Sequence, residues 1–161
     1  TINYFRQSNI RNLIFRPHNV FGPDMGNEHV IPEIVYKLKK VSNNWTIKNV
    51  DLEIQGTGME TRAFCFVEDA VDQIIMIYEN GLKGNIYHVG IDNEISINQL
   101  IKEISICLKL NVKIIKGKIK PGSTTRRCPN ISKIQSIGYK KKDNFLKGLK
   151  KTVYWYRDSI E

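Results

Sequence analysis

Hydrophobic and polar positions along the chain switch between a period of two and a period near 3.6. Asn-Leu-Ile-Phe-Arg at 12–16 is a short apolar run, followed at 19–26 by a turn-rich stretch with Gly22, Pro23, Asp24 and Gly26. That pattern predicts a buried strand and then a loop. Ile31, Ile34, Val35 and Leu38 repeat at helical spacing, with Pro32 tolerated in the first turn. The stretch 42–50 is polar and reads as a connection. Leu-Glu-Ile-Gln at 52–55 alternates as a half-buried strand does, and Gly56-Thr57-Gly58 ends it in a turn. A second apolar run, 63–67, passes at Glu68 into a helix expected to turn Ala70, Val71, Ile74, Ile75 and Tyr78 inward. Gly81 is expected to end that helix in a left-handed conformation. Residues 86–89 predict a further strand. Ser96, with Gln99 three residues on, forms a capping box before a helix whose apolar face is Ile97, Leu100, Ile101, Ile104 and Leu108. A strand at 112–115 follows, then a loop at 121–129 holding two arginines. A short helix at 132–137 is closed by Gly138. Asp143 is expected to cap a final helix with Leu146, Leu149, Val153 and Tyr156 inward.

Strands alternating with helices argue for an α/β protein. The 161 residues fit one domain, and no repeat, low-complexity segment or clean linker divides them. A composition 41% hydrophobic and 25% charged is that of an ordinary globular chain. No apolar run approaches the ~18 residues of a spanning helix, so no membrane association is expected. No secretory leader is read, and a start at Thr1 rather than methionine leads us to expect further sequence upstream. Cys65, Cys107 and Cys128 form no CxxC pair, which points to a reducing, cytoplasmic location. His18, His29 and His88 make no HxxxH pair, and no metal site is expected.

Charge is uneven. Residues 1–100 hold 9 Lys and Arg against 12 Asp and Glu, whereas residues 101–161 hold 16 against 4. A basic half can serve nucleic acid. Here most of the excess is lysine at surface-like helical positions, such as Lys147, Lys150 and Lys151, and reads as a solvated face. No nucleic-acid partner is expected.

Few residues suggest chemistry by themselves. Glu68-Asp69 opens a helix, where carboxylates complement the positive helix end. Gly56-Thr57-Gly58 lacks the Gly-Lys-Ser/Thr of a phosphate loop and reads as a turn. His88 reads as a satisfied core histidine. Asn19, Arg62 and Arg126-Arg127 lie next to strand ends, where open α/β sheets bind ligands, and arginine forks suit phosphate.

Four ordered segments carry a resemblance. Arg16-Pro17-His18-Asn19-Val20-Phe21-Gly22-Pro23 resembles the R-x-x-N-x-[YF]-G-P stretch of the extended short-chain dehydrogenases/reductases, the NAD-dependent nucleotide-sugar epimerases and dehydratases. His29-Val30-Ile31-Pro32 is similar to their N-L-x-P segment. Residues 56–69 resemble G-x-G-x-x-x-R-x-F-x-x-V-x-D. Residues 126–133, followed by Gly138-Tyr139, resemble R-R-x-P-D-x-S-K with a later G-[WY], and 148–156 also fit.

The match covers the C-terminal half of that family. G-x-x-G-x-x-G does not occur in the chain, and the resemblance places the catalytic Y-x-x-x-K, the tyrosine base and its lysine, just upstream of Thr1. It implies the C-terminal part of a Rossmann-type fold: 12–22 and 63–90 as the last strands and helix of the sheet, 23–62 and 91–161 as the nucleotide-sugar-binding domain. Asn19, Arg62 and Arg126 would hold the diphosphate. His29 and the backbone of Val30 would touch the diphosphate or nucleoside, and Gln55 would lie beside the base and ribose. The backbone of Pro17 and His18 would approach the nicotinamide of NAD, which the other half would mainly bind. His29 stands where the family usually has Asn, and Asn130 where it has Asp. The whole enzyme would be a homodimer that oxidises a sugar hydroxyl, with epimerisation at C4 expected and 4,6-dehydration the alternative. A non-catalytic nucleotide-sugar-binding or scaffolding protein is the alternative of another class.

Overall fold

A computed structural model describes residues 10–119, 122–142 and 144–159. Strand β1 (Ile14–Pro17) and the short β2 (Val20–Phe21) precede helix α1 (Val30–Val41). Strand β3 (Asn49–Ile54) leads to β4 (Thr61–Ala63), β5 (Cys65–Phe66) and helix α2 (Val67–Asn80). Then come β6 (Ile86–Val89), β7 (Glu94–Ser96), helix α3 (Ile97–Leu108), β8 (Asn111–Lys116), β9 (Arg126–Arg127), α4 (Ser132–Gln135) and α5 (Phe145–Ser159).

The strands pair mostly in parallel across long sequence separations. β1 runs beside β6 with Ile14 opposite Ile86, β2 beside β5, and β3 beside β8 with Val50 opposite Val112. β4 lies between β7, antiparallel, and β9, parallel. Such parallel strands need long crossovers, and α1, α2 and α3 supply them.

Two apolar clusters hold these elements together. The larger joins Ile31, Val35 and Leu38 of α1, Leu52 and Ile54 of β3, Leu100, Ile101 and Ile104 of α3, and Leu149, Val153 and Tyr156 of α5. The smaller joins Ala63, Cys65, Ile77, Tyr87 and Val89 to Ile131, Ile134 and Tyr139. Two ion pairs and a hydrogen bond stitch α2 to the chain before and within α5. Lys151 reaches Glu68 at 2.7 Å, Asn144 donates to Asp69 at 2.6 Å, and Lys142 pairs with Asp72.

Several expectations are corrected. The polar stretch 42–50 ends as strand, because β3 starts at Asn49 and finds its partner in β8. The run 63–67 is two short strands, β4 and β5, each with a different neighbour. Part of the loop 121–129 is strand β9. On α2 the inward residues are Asp69, Ala70, Gln73 and Ile77, while Val71, Ile75 and Tyr78 are exposed. Polar Gln73 takes the inner face because it satisfies Gly90 and Tyr139 there. Gly81 has φ −68°, not a left-handed value; a Cβ there would meet the Ile77 carbonyl oxygen at 2.4 Å, so space explains the glycine. Leu146 faces outward on α5, and Gly148 takes the inner position against Phe66. The cap expected of Asp143 lies outside the described residues. The Ser96–Gln99 capping box is present with both reciprocal bonds.

Candidate functional site

A cavity of about 330 Å³ opens between the start of α1, the end of β3 and the β4–β9 edge. Asn19, His29, Val30, Gln55 and Arg62 all line it, with Leu52, Ile54, Phe64 and Ile97 as its apolar wall. Arg126 lines a shallower neighbouring pocket with Pro17, His18, Asn19 and Cys128, and Arg127 lines both.

Each side chain is placed by its element. Asn19 sits at φ +43°, a left-handed turn that asparagine tolerates, between β1 and β2. Its amide donates to the Ala63 carbonyl at 3.1 Å, leaving one N–H of that amide for the cavity. His29 is the N-cap of α1 in extended conformation, and its side chain makes no capping bond. The first amides of α1 therefore stay unpaired by the helix, and Pro32 removes one such donor outright. Gln55 follows β3 and donates to Ser123 Oγ at 3.1 Å. The turn at Gly56-Thr57-Gly58 has positive φ at both glycines. Glu60 closes it by accepting from Thr57 N and Oγ1 at 3.0 Å, bonds that hold its carboxyl below the usual range.

Arg62 donates to the Thr61 carbonyl at 2.7 Å and the Thr124 carbonyl at 2.5 Å. Burial first, then the charge of Arg127, pull its pKa down. Arg126 instead points at Glu94, with Nη2 and Nε at 2.5 and 3.0 Å from one carboxylate oxygen. That hydrogen bond, with one from Thr61, lowers the pKa of Glu94.

At the end of β1, the His18 N–H is spent on the Val89 carbonyl at 2.9 Å, and Pro17 has no N–H. A nicotinamide amide would meet only carbonyl acceptors there. These 161 residues contain no glycine-rich cradle for the pyrophosphate of NAD, so they fit at most one end of that cofactor. His18 and His88 share a ring hydrogen bond beside this pocket. No thiol here is activated: burial pushes Cys65 up to about 12 and raises Cys128. The arrangement is suited to binding an anion with an apolar group attached.

Sequence reasoning paired Arg127 with Arg126 beside a strand end but gave the diphosphate to Arg126, and it passed over the Ser123-Thr124 segment. The residue type of Arg127 was visible, but which face it takes depends on β9, a strand only two residues long.

The model of the NAD dependent epimerase/dehydratase family matches residues 1–90. The chain belongs to that family. Among curated relatives of this epimerase/dehydratase chain is the dTDP-D-glucose 4,6-dehydratase of Bos taurus, 29% identical over 165 residues. The match covers 98% of this chain and 44% of the relative. The chain thus spans about half the length of the curated relatives it matches. Among solved structures, DesIV, a dTDP-glucose 4,6-dehydratase from Streptomyces venezuelae with NAD bound, has a TM-score of 0.78 at 26% identity. That match covers 98% of this chain and 47% of DesIV. A UDP-N-acetylglucosamine 4-epimerase from Methanobrevibacter ruminantium, solved with UDP-N-acetylmuramic acid, shares the fold at TM-score 0.83 and 22% identity, over 98% of this chain and 50% of that one. The fold is thus that of the Rossmann-type epimerases and dehydratases. No helix among the described residues is long and apolar enough to cross a membrane.

Proposed function

We propose that this chain is the nucleotide-sugar-binding part of an NAD-dependent enzyme that acts on the sugar while the nucleotide stays anchored. One observation carries the reading: Asn19, His29, Val30, Gln55 and Arg62, far apart in sequence, wall a single cavity. The diphosphate lies against Arg62, an arginine of β9 and the free amides at the start of α1; the remaining amide N–H of Asn19 adds a donor. The base and ribose lie between Val30 and Gln55 on the apolar wall of Leu52 and Ile54. Pro17 and His18 border the nicotinamide. Hydride transfer belongs to a tyrosine–lysine pair outside this cavity, which no tyrosine lines. The full-length protein in this reading is a cytoplasmic homodimer.

Two reactions of the anchored sugar fit. Epimerisation at C4 is the expectation from the sequence. Dehydration at C4 and C6 is favoured by the bovine relative, matched over 98% of this chain. Product analysis by NMR separates them: a 4-keto-6-deoxy sugar marks dehydration, and an inverted C4 centre marks epimerisation.

The binding claim is tested by calorimetric titration of the full-length protein with UDP-glucose, dTDP-glucose, GDP-mannose and CDP-glucose. At least one should bind. A hydrogen bond to a charged group contributes roughly 1.5–3 kcal/mol, and each 1.4 kcal/mol is tenfold in affinity. Arg62→Ala should therefore weaken binding about ten- to a hundredfold, with NAD affinity nearly unchanged. Wild-type affinity in Arg62→Ala would overturn the proposal.

A further inference from the structure

The proposed binding mode gives the imidazole of His18 no part. That ring is joined to a second one: Nε2 of His18 and Nδ1 of His88 share a hydrogen bond, with ring centroids 4.6 Å apart. His18 follows β1, His88 lies on its parallel neighbour β6, and the His18 N–H reaches the Val89 carbonyl at 2.9 Å. A Cβ at Gly90 would meet His18 Cβ at 3.4 Å, so close packing fixes the pair as well. One facing nitrogen donates and the other accepts, which leaves one outer nitrogen bare in the neutral pair. The outer nitrogens, His18 Nδ1 and His88 Nε2, have no hydrogen bond among the described residues. A proton added there makes the shared bond charge-assisted, so the rings stay joined while their charge rises by one.

The groups around the pair are cationic or already neutralised. His18 lines its pocket with Pro17, Asn19, Arg126, Arg127 and Cys128, and no carboxylate is in that lining. Glu94 is spent on Arg126, and Asp92 on Lys141. Asp69, on the inner face of α2, is buried and accepts from Asn144. Arg16 on β1, Arg127 on β9 and Lys133 of α4, which lies over the Tyr87 ring, take part in no ion pair among the described residues. Burial keeps the Cys128 thiol protonated. Burial, then His88 and Arg16, resist a proton on His18. The oxidised nicotinamide ring is positively charged and the reduced ring is neutral. Beside a wall with no carboxylate, a charge on the pair repels the first and leaves the second unaffected.

We propose that the His18–His88 pair sets the balance between oxidised and reduced cofactor: when it takes up a proton, NAD is held less tightly and NADH is favoured. The inference rests on the reading that Pro17 and His18 border the nicotinamide. Neither imidazole takes part in hydride or proton transfer to the sugar; both act through their charge alone.

The test measures Kd for NAD by calorimetry and for NADH by its fluorescence, on the full-length protein. Both are taken at about pH 8 and about pH 5.5, on either side of the ordinary histidine value. The ratio of Kd for NAD to Kd for NADH should rise about tenfold from the higher pH to the lower. With His18→Asn and His88→Asn combined, the rise should shrink below about threefold. A second readout needs no variant. Coupling is reciprocal, so a tenfold ratio requires the imidazole signals of the pair to titrate about one pH unit higher with NADH bound than with NAD, as followed by NMR. If neither dinucleotide binds, the NAD-dependent reading itself fails and the inference with it. If both bind and the wild-type ratio is the same at the two pH values, that reading stands and the inference is overturned. An equal rise in the double variant, or imidazole signals indifferent to the cofactor's redox state, would also overturn it, because other groups would then carry the effect.

Discussion

Replacing Gln73 by leucine removes a buried polar clamp at little change in volume. Gln73 is fully buried on α2. Its Nε2 donates to the Gly90 carbonyl at 3.0 Å and contacts Tyr139 Oη at 3.1 Å, and its Oε1 accepts from Gly90 N at 2.8 Å. Leucine leaves three buried groups without that partner. Each unsatisfied group costs about 1–3 kcal/mol, so the gross loss is roughly 3–9 kcal/mol. Burial of the leucine side chain returns about 1.5–3 kcal/mol. A net loss of about 1.5–6 kcal/mol is a large share of the ~5–15 kcal/mol that stabilises a domain. In urea, with a slope of ~2 kcal/mol/M, the midpoint should fall by about 0.8–3 M. Binding should weaken too. Gly90 is wedged so tightly that an added Cβ would meet Pro129 Cγ at 3.0 Å and His18 Cβ at 3.4 Å, so it seats the segments carrying His18 and the β9 arginines. Urea unfolding followed by circular dichroism, on wild type and variant side by side, is the assay. A midpoint shift below about 0.3 M would refute the reasoning, showing that the three partners re-pair at no cost.

Gly148→Ala on α5 would put a Cβ 2.3 Å from Phe66 Cδ2 and 3.0 Å from Phe66 Cβ, so overpacking should cost about 1–3 kcal/mol; an unchanged thermal midpoint would contradict this. Burial first, then His88 and Arg16, hold His18 below its ordinary 6.5. The unfolded chain then takes up the proton first, so the stability from neutral His18 is complete above pH 6.5 and is lost as pH falls through the lower folded value. His18→Asn should flatten the fall in urea stability below pH 6.5, and an identical slope in both proteins would contradict it. The 161-residue chain by itself should show no turnover of sugar nucleotides with NAD by NMR, since neither a tyrosine nor a lysine lines the pocket beside Pro17 and His18. It should also bind an apolar dye, because Val71, Ile75, Tyr78 and Leu82 form an exposed apolar stripe along and just after α2. Turnover would contradict the first expectation, and a dye-silent, sharply melting monomer the second.

What the sequence revealed was local. The Ser96–Gln99 box and the alternation around 52–55 involve neighbours in sequence, and both are present as read. The α/β class followed from the same local signals. Pairings at a distance were hidden. β2, β5 and β9 are two residues each, too short for any periodicity, and exist because distant strands complete them. The inward face of α2 was misread because apolar spacing cannot anticipate a buried glutamine that finds three partners elsewhere. For the site, residue types pointed to Asn19, His29, Gln55 and Arg62. The separation of Arg126 from Arg127 required the β4–β9 register and the position of Glu94, neither of which a single segment encodes.

The central claim is that the cavity between α1, β3 and the β4–β9 edge holds the nucleotide of a nucleotide-sugar. The most direct measurement is a crystal structure of the full-length protein soaked with dTDP-glucose or UDP-glucose, whichever binds more tightly. The account predicts diphosphate density between the Arg62 guanidinium and the first amides of α1, with the base against Ile54 and Gln55. Density for the nucleotide on any other face, with this cavity holding only water, would contradict it.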